Sequence, residues 1–495
     1  MNEDVLNKYE MTIGIECHVQ LATATKLFSP ADNDARDREP NSTVHPIDFG
    51  LPGMLPVLNR HAVELAVRAG KALNATVANV SRFDRKHYFY PDLPKGYQTT
   101  QMYHPIIGEG FVDVPLESGE AVRVRIHHAH MEEDAGKLTH YSNYSLVDLN
   151  RAGTPLIEIV SEPDIHSAEA AKAFAIELHR LMTYAGVTHG DLYQGNMRFD
   201  VNVSVAPKGS DTLGRRAEVK NLNSFRSVEK ASEYEYHRQV ERIEKGETIV
   251  QETRGWDDTK LITISQRSKE DAQDYRYMPD ADIPPIVLAN DEIQALQDEV
   301  PMLPPEYRKK WSTLAIDSSV VNSLLDNINY AMLVNEVQDR AGDDAARVIA
   351  HLFASSMSKL LKGETLPTTG LFDKRLNIAP EDLIELAEIN LAKEISSNNT
   401  ELLFFEIVKN AHDDRRFSPR QQAMERDMFQ VSDEEAIAVF VDEVLSDPAS
   451  LGSIDDIRAG KDKAIGYLVG QVMKKSHGKA NPALAQKLIK EKIGA

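Results

Sequence analysis

Between residues 11 and 21 apolar and non-apolar residues alternate without exception: Met11, Ile13, Ile15, Cys17, Val19 and Leu21 against Thr12, Gly14, Glu16, His18 and Gln20. A period of two belongs to a pleated strand, so this segment buries one face and projects Glu16 and His18 together from the other. The pattern returns at 198–205, where Phe199, Val201, Val203 and Val205 oppose Arg198, Asp200, Asn202 and Ser204, and again in Arg216, Glu218 and Lys220. A fourth stretch starts with Val122, Val124 and Ile126 and runs into His127, His128, His130, Glu132, Glu133 and Asp134. Adjacent Glu132 and Glu133 cannot share a face of a regular strand, so a strand end or bulge is expected there.

Carboxylates and basic groups repeated on the polar side of several strands are the material of a metal–nucleotide site. Magnesium prefers hard oxygen ligands, which makes Glu16, Glu132, Glu133, Asp200 and Glu218 a suitable set and His18 a softer addition. Polar faces are also what ordinary half-solvated strands carry, so the pattern alone leaves a plain amphipathic sheet open. Other catalytic patterns fail. Asp134-Ala135-Gly136-Lys137-Leu138 lacks the upstream glycine and the hydroxyl of a phosphate loop, and Gly108-Glu109-Gly110 is too short for a dinucleotide fingerprint. The histidines at 127, 128 and 130 stand among carboxylates rather than thiolates, which favours solvated or supporting roles over zinc. The basic aromatic loop 82–90 suits either base stacking with phosphate binding or packing between domains.

A chain of 495 residues exceeds one core, and two to four domains are expected. Up to about residue 290 strands are interrupted by a few helices, an α+β pattern. Residues 167–185 and 224–245 read as helices, each opening on a serine and followed by a glycine, Gly186 and Gly246. A proline-rich run at 277–285 precedes a purely helical remainder, including helices at 401–410 and 434–444. Charge and proline at 413–419 mark a second break. The expected division is 1–295, 296–412 and 413–495. The lone Cys17 excludes a disulfide framework and sits on an apolar strand face as a small buried hydrophobe. No apolar run reaches bilayer length and the start lacks a signal peptide, so a cytoplasmic protein without a membrane role is expected. The net charge of −21 argues against a surface that coats nucleic acid, yet residues 456–495 hold nine Lys or Arg against three acids.

Several ordered segments resemble the signatures of one family, the B subunit of the tRNA-dependent Asp/Glu amidotransferase. They are IGIECHVQL at 13–21, GLPGMLPVLN at 50–59, YFYPDLPKGYQ at 88–98, HMEEDAGK at 130–137, NRAGTPLIE at 150–158 and EVKNLNSF at 218–225. The resemblance continues through QETR at 251–254 and DYRY at 274–277, and returns in RAGK at 458–461, GQVMK at 470–474 and GKANP at 478–482. It implies a ligase that uses ATP and magnesium to activate the side-chain carboxylate of mischarged Glu-tRNA(Gln), Asp-tRNA(Asn) or both as an acyl phosphate. Ammonia from a glutaminase (amidase) A subunit then amidates it, in a heterotrimer completed by a small C subunit. It further implies an N-terminal curved antiparallel-sheet cradle similar to the glutamine synthetase and guanido kinase fold, then a helical domain and a tRNA-reading helical tail. The implied metal ligands are Glu16, His18, Glu132, Glu133, Asp200 and Glu218. Glu132, Glu133, Asp200 and Lys220 are the expected catalytic groups, and Arg198, Asn202, Ser204 and Lys95 are expected to hold the nucleotide. Arg198, Lys220 and Lys95 are alternatives for stabilising the transferring phosphoryl group. The sheet chemistry alone also fits a free-standing ATP-dependent carboxylate–amine ligase acting on a small substrate. Relatives of this kind often carry a cysteine pair before the GLPG run. Here residues 44–48 read VHPID, so no structural zinc is expected.

Overall fold

A computed structural model describes residues 3–268, 274–363, 377–412, 417–430, 434–458, 462–476 and 479–494. The chain forms two compact units, Met1–Pro304 and Pro305–Ala495. It is α+β: a large mixed sheet in the first unit and helices throughout the second.

The sheet of the first unit has eight strands: β1 (Tyr9–Gln20), β2 (Gly110–Pro115), β3 (Ala121–Glu133), β4 (Pro155–Ser161), β5 (Met197–Pro207), β6 (Ala217–Leu222), β7 (Glu252–Asp257) and β8 (Ile262–Ser268). Their spatial order is β8-β7-β6-β5-β1-β4-β3-β2. Every pairing is antiparallel except β6 with β7, which is parallel, so the expectation of a wholly antiparallel sheet needs that correction. The register places Glu16 opposite Asp200 and His18 opposite Arg198 on one side, and His18 opposite Glu158 on the other. The apolar positions of the alternation are the buried core face, while the polar face is half-buried in β1 and largely closed over at Asp200, Ser204 and Glu218. Ile13, Ile15, Cys17, Val19, Phe199, Val201 and Val203 are buried, together with Ala217 and Val219. Helices α1 (Ala168–Tyr184) and α2 (Phe225–Glu244) pack beside one another, and α2 covers β5, β6 and β8. Ser167 and Ser224 cap these helices as expected, each accepting a backbone N–H three residues on. Gly186 and Gly246 follow their C-caps with φ of +69° and +74°, a conformation that costs a side chain but not glycine.

The register shift in β3 falls between Ile126 and His128, earlier than the acidic pair, and the strand ends at Glu133. The proline-rich run returns to the first unit: Met278–Pro279 pairs with Asp84–His87, and Ile286–Val287 with Val80–Ser81.

In the second unit the helical span Ile328–Gly363, which breaks at Gly342 (φ +83°), packs together with the helices Pro380–Leu391 and Ser397–Lys409, with Phe353 edge-on to Phe404 at 5.1 Å. Four further helices, Glu434–Leu445, Leu451–Arg458, Ile465–Lys475 and Pro482–Ile493, bury a core of their own that includes Ile437, Val441, Leu468, Val472 and Ile489. Residues 413–416 of the second expected break, and residues 459–461 and 478 of the tail motifs, lie outside the described residues. Among the described residues no helix is long and apolar enough to cross a membrane.

Candidate metal–nucleotide site

The polar face of the sheet gathers its acidic side chains into two groups. In the first, ligand atoms of His18, Glu132 and Glu158 lie within 4.8 Å of one another; in the second, those of Glu16, Asp200 and Glu218 do. Strand β1 joins them, because Glu16 and His18 are two residues apart on one face, about 7 Å along the strand.

Cross-strand pairing explains the first group. His130 on β3, Glu158 on β4 and His18 on β1 form one row, with His18 Nε2 3.4 Å and His130 Nε2 3.5 Å from Glu158 Oε2. Glu132 stands one pleat along, its Oε1 3.6 Å from His18 Nε2. Burial opposes charge on His18, but the Glu158 hydrogen bond and the charges of Glu158, Glu132 and Asp200 outweigh it and raise its pKa to about 9. Burial likewise opposes ionisation of Glu158, and the facing histidines hold it well below the usual carboxylate range.

The second group has a lysine clamp. Lys220 Nζ is 3.0 Å from both Asp200 Oδ2 and Glu218 Oε1, and the carboxylates in turn hold the ammonium strongly charged against its burial. Asp200 also accepts the N–H of Asn221 at 2.8 Å, a residue held at φ +61° beside a register irregularity between β5 and β6. Thr253 Oγ1 donates to Glu218 Oε2 at 3.0 Å, and Asn202 Nδ2 to Glu16 Oε1 at 3.1 Å. Burial, then the charges of Glu158 and Glu218, raise the Glu16 carboxyl above its ordinary value. A cavity of about 430 Å³ opens against this group, lined among others by Thr12, Gly14, Glu16, Asn202, Ser204 and Arg216.

Not every residue singled out in the sequence joins these groups. Glu133, one residue beyond Glu132, takes the opposite side of the chain and accepts Lys95 Nζ together with the Thr99 N–H at 2.9 Å. Lys95 is therefore committed to Glu133 and stands apart from both carboxylate groups. Arg198 Nη2 donates to Asp134 Oδ2 at 3.0 Å, which Arg151 also reaches. Ser204 Oγ bonds the Thr12 carbonyl at 3.4 Å while lining the cavity. Glu158 is the residue the strand patterns missed. Its face-mates Leu156 and Val160 are apolar, so β4 shows no alternation. Besides its place at the end of the NRAGTPLIE segment, its signal was a lone carboxylate inside PLIEIVS, since a charge in a buried strand needs a partner.

The donor set suits divalent cations. Three carboxylates in one group, and two carboxylates with one imidazole in the other, supply hard oxygen ligands and one nitrogen; the His18 proton and the Lys220 ammonium balance part of the charge, and a cation at the first group would take the place of that proton. Asn202 Oδ1 is also buried beside the second group without a hydrogen-bond partner. The residues therefore fit metal ions at both groups.

Residues 11–294 match the family model described as the GatB/GatE catalytic domain, and residues 333–493 the one described as the GatB domain. Over nearly its whole length the chain is similar to proteins named as the B subunit of aspartyl/glutamyl-tRNA(Asn/Gln) amidotransferase. The relative from Trichodesmium erythraeum is 40% identical over 99% of this chain and 98% of its own. One from Synechococcus sp. (strain JA-2-3B'a(2-13)) is 42% identical over 98% of each chain. One from Caldicellulosiruptor saccharolyticus is 39% identical over 98% of this chain and 99% of its own.

Proposed function

The chain belongs to the GatB/GatE family, and from that premise we propose how its sheet carries out a tRNA-dependent amidotransferase reaction. It acts as one component of a multi-subunit ligase on mischarged tRNA. A carboxylate does not react with ammonia because oxide is not a leaving group. The side-chain carboxylate of Glu-tRNA(Gln) or Asp-tRNA(Asn) attacks the γ-phosphorus of ATP, ADP departs, and an acyl phosphate forms. Ammonia then adds to the acyl carbon, phosphate leaves, and the proton that nitrogen loses ends on the departing phosphate as the amide forms. The ammonia comes from a partner glutaminase subunit, with a small third subunit completing the assembly.

Two adjacent acidic groups on one polar face carry this assignment. Glu16, Asp200 and Glu218 would hold a cation against the ATP phosphates, and His18, Glu132 and Glu158 one near the acceptor carboxylate. Bound there, magnesium supplies charge neutralisation for the transferring phosphoryl group. Lys220 adds a fixed positive charge between Asp200 and Glu218, and Asn202 and Thr253 orient Glu16 and Glu218 through their hydrogen bonds. Asn202 and Ser204 line the cavity where the nucleoside of ATP would lie. Glu133 and Lys95, bonded to each other, shape the wall beside Glu132. The arrangement of eight strands with metal-type ligands on one face fits a cradle similar to the glutamine synthetase and guanido kinase fold. A free-standing ligase has no support, since the relatives above are all named as subunits.

The test is ATP cleavage by the assembled complex with and without mischarged tRNA. Glu132→Gln and Asp200→Asn should each abolish the tRNA-dependent part while the partner's glutaminase activity survives in part. Wild-type cleavage in either variant would remove the metal assignment.

A further inference from the structure

The basic aromatic loop has no part in the chemistry above. Its strand Asp84–His87 is held on one side by Tyr97–Thr100 and on the other by the returning segment at 274–279. The His87 N–H donates to the Tyr275 carbonyl at 2.8 Å, and His87 Nδ1 is 3.0 Å from that of Arg276. Between loop and segment opens a second cavity, about 600 Å³, walled chiefly by Lys86, Tyr88, Phe89, Tyr90, Tyr275 and Arg276.

Its position ties it to the first carboxylate group. Gln98 and Thr99, on the strand paired with 84–87, both bond Glu133, the neighbour of Glu132. Lys86 is close enough for its charge to act on Glu158, and Tyr88 for its hydroxyl to feel Glu132. The walls are unlike a packing surface. The Phe89 ring is 79% exposed and Tyr90 51%. Tyr88 and Tyr275 meet edge to face at 6.1 Å, and Lys86 Nζ stands 5.0 Å over the Tyr275 ring with no ion-pair partner among the described residues. Aromatic faces beside free cations are the means by which proteins hold unpaired nucleotides, because every base offers a π-face and every linkage a phosphate.

Resting on the function proposed above, we propose that this cavity takes the 3′-terminal nucleotide of the aminoacylated RNA, its base against Phe89 and Tyr90 and its phosphate on Lys86 and Arg276. The amino acid esterified to that nucleotide would then reach His18, Glu132 and Glu158. ATP carries the same adenosine chemistry, but the cavity at Glu16, Asn202 and Ser204 already adjoins the other acidic group. Each substrate thus has its own chamber, one over β1 and its two neighbouring strands and the other between the 86–90 loop and the 274–276 segment.

The test uses the complete complex with its partner subunits. KM for mischarged tRNA is measured at saturating ATP, and KM for ATP at saturating tRNA, for wild type, Phe89→Ala and Lys86→Met. Uncharged tRNA, intact or lacking its terminal adenosine, serves as competitor. Loss of one base-stacking partner should raise the KM for tRNA about tenfold and leave that for ATP in place. Wild type should bind the intact competitor about tenfold tighter than the shortened one, and Phe89→Ala should bring the two close to equality. A rise in the KM for ATP alone would place ATP's adenosine in this cavity and overturn the proposal, as would undiminished discrimination between the competitors by Phe89→Ala. A wild-type complex that leaves mischarged tRNA unamidated would instead overturn the function on which it rests.

Discussion

Neutralising Glu16 should make the protein more stable without metal and less stable with it. Its carboxylate has Asp200 and Glu218 within 4.8 Å, while the nearby lysine is held by those two rather than by Glu16. Two unit charges at that distance repel by about 3.5 kcal/mol at an effective dielectric of ~20. Two such repulsions, offset about half by Lys220 and reduced further by relaxation and water, leave a penalty of about 1–2 kcal/mol. Glu16→Gln removes the charge and keeps an oxygen for the Asn202 amide. In EDTA its melting temperature should rise by about 2–3 °C. With magnesium the order reverses. Wild type gains about 2.7 kcal/mol when the ion stands at 100 times its dissociation constant, whereas the variant, one charged ligand short, gains far less. The sign with pH follows from the raised pKa of Glu16. The penalty is absent where the carboxyl is protonated in both states and grows as pH rises through the ordinary carboxylate range to the raised value. The metal-free difference should therefore fade as the pH falls. Thermal melts of the purified chain with EDTA or magnesium decide the matter. A lower metal-free melting point for the variant, or an undiminished magnesium shift, would refute the reasoning.

Two further outcomes follow from other parts of the chain. Lys26 is fully buried with Nζ 3.4 Å from Asp48 Oδ2, and Asp48 otherwise accepts only Ser29 Oγ and the His45 N–H among the bonds described. Lys26→Met should lower stability in a urea titration by about 3–5 kcal/mol, and adding Asp48→Asn should restore part of it. Ending the chain after Gln430, short of the separate core around Ile437 and Ile489, should leave metal binding unchanged but weaken tRNA binding. The slope of log affinity against log salt should flatten as well, and an unchanged slope would place the phosphate contacts elsewhere. An earlier cut at Ser418 is unsuitable, because Ser418 bonds Glu385 in the helix Pro380–Leu391 and Arg420 bonds Glu394 in the turn after it.

Much of the site was legible because β1, β5 and β6 each carry apolar side chains on one face and polar ones on the other, so parity alone separated Ile15 from Glu16 and Val201 from Asp200, although Asp200, Ser204 and Glu218 are themselves buried in the site. Parity had nothing to say about Glu158, whose strand is apolar on both faces. It identified Glu132 and Glu133 as neighbours but not which of them would face His18; the chain resolves this by giving Glu133 to Lys95 and Thr99. The parallel pairing of β6 with β7 was also out of reach, since a strand's own pattern carries its period but not the direction of its neighbour. Both serine-capped helices, by contrast, were readable to within a residue, because the cap and the following glycine are local chemistry.

The alternation in β1 has an evolutionary consequence. Core and site are written in the same dozen residues, the odd positions specifying one and the even positions the other. Losing a single residue between Met11 and Glu16 would shift the phase of everything before it against the neighbouring strands, sending threonine into the interior and isoleucine into the cavity. Substitutions can therefore tune the two inscriptions separately, but a length change of one residue corrupts both at once. The strand thus tolerates a change of side chain at its core positions far better than any change of frame.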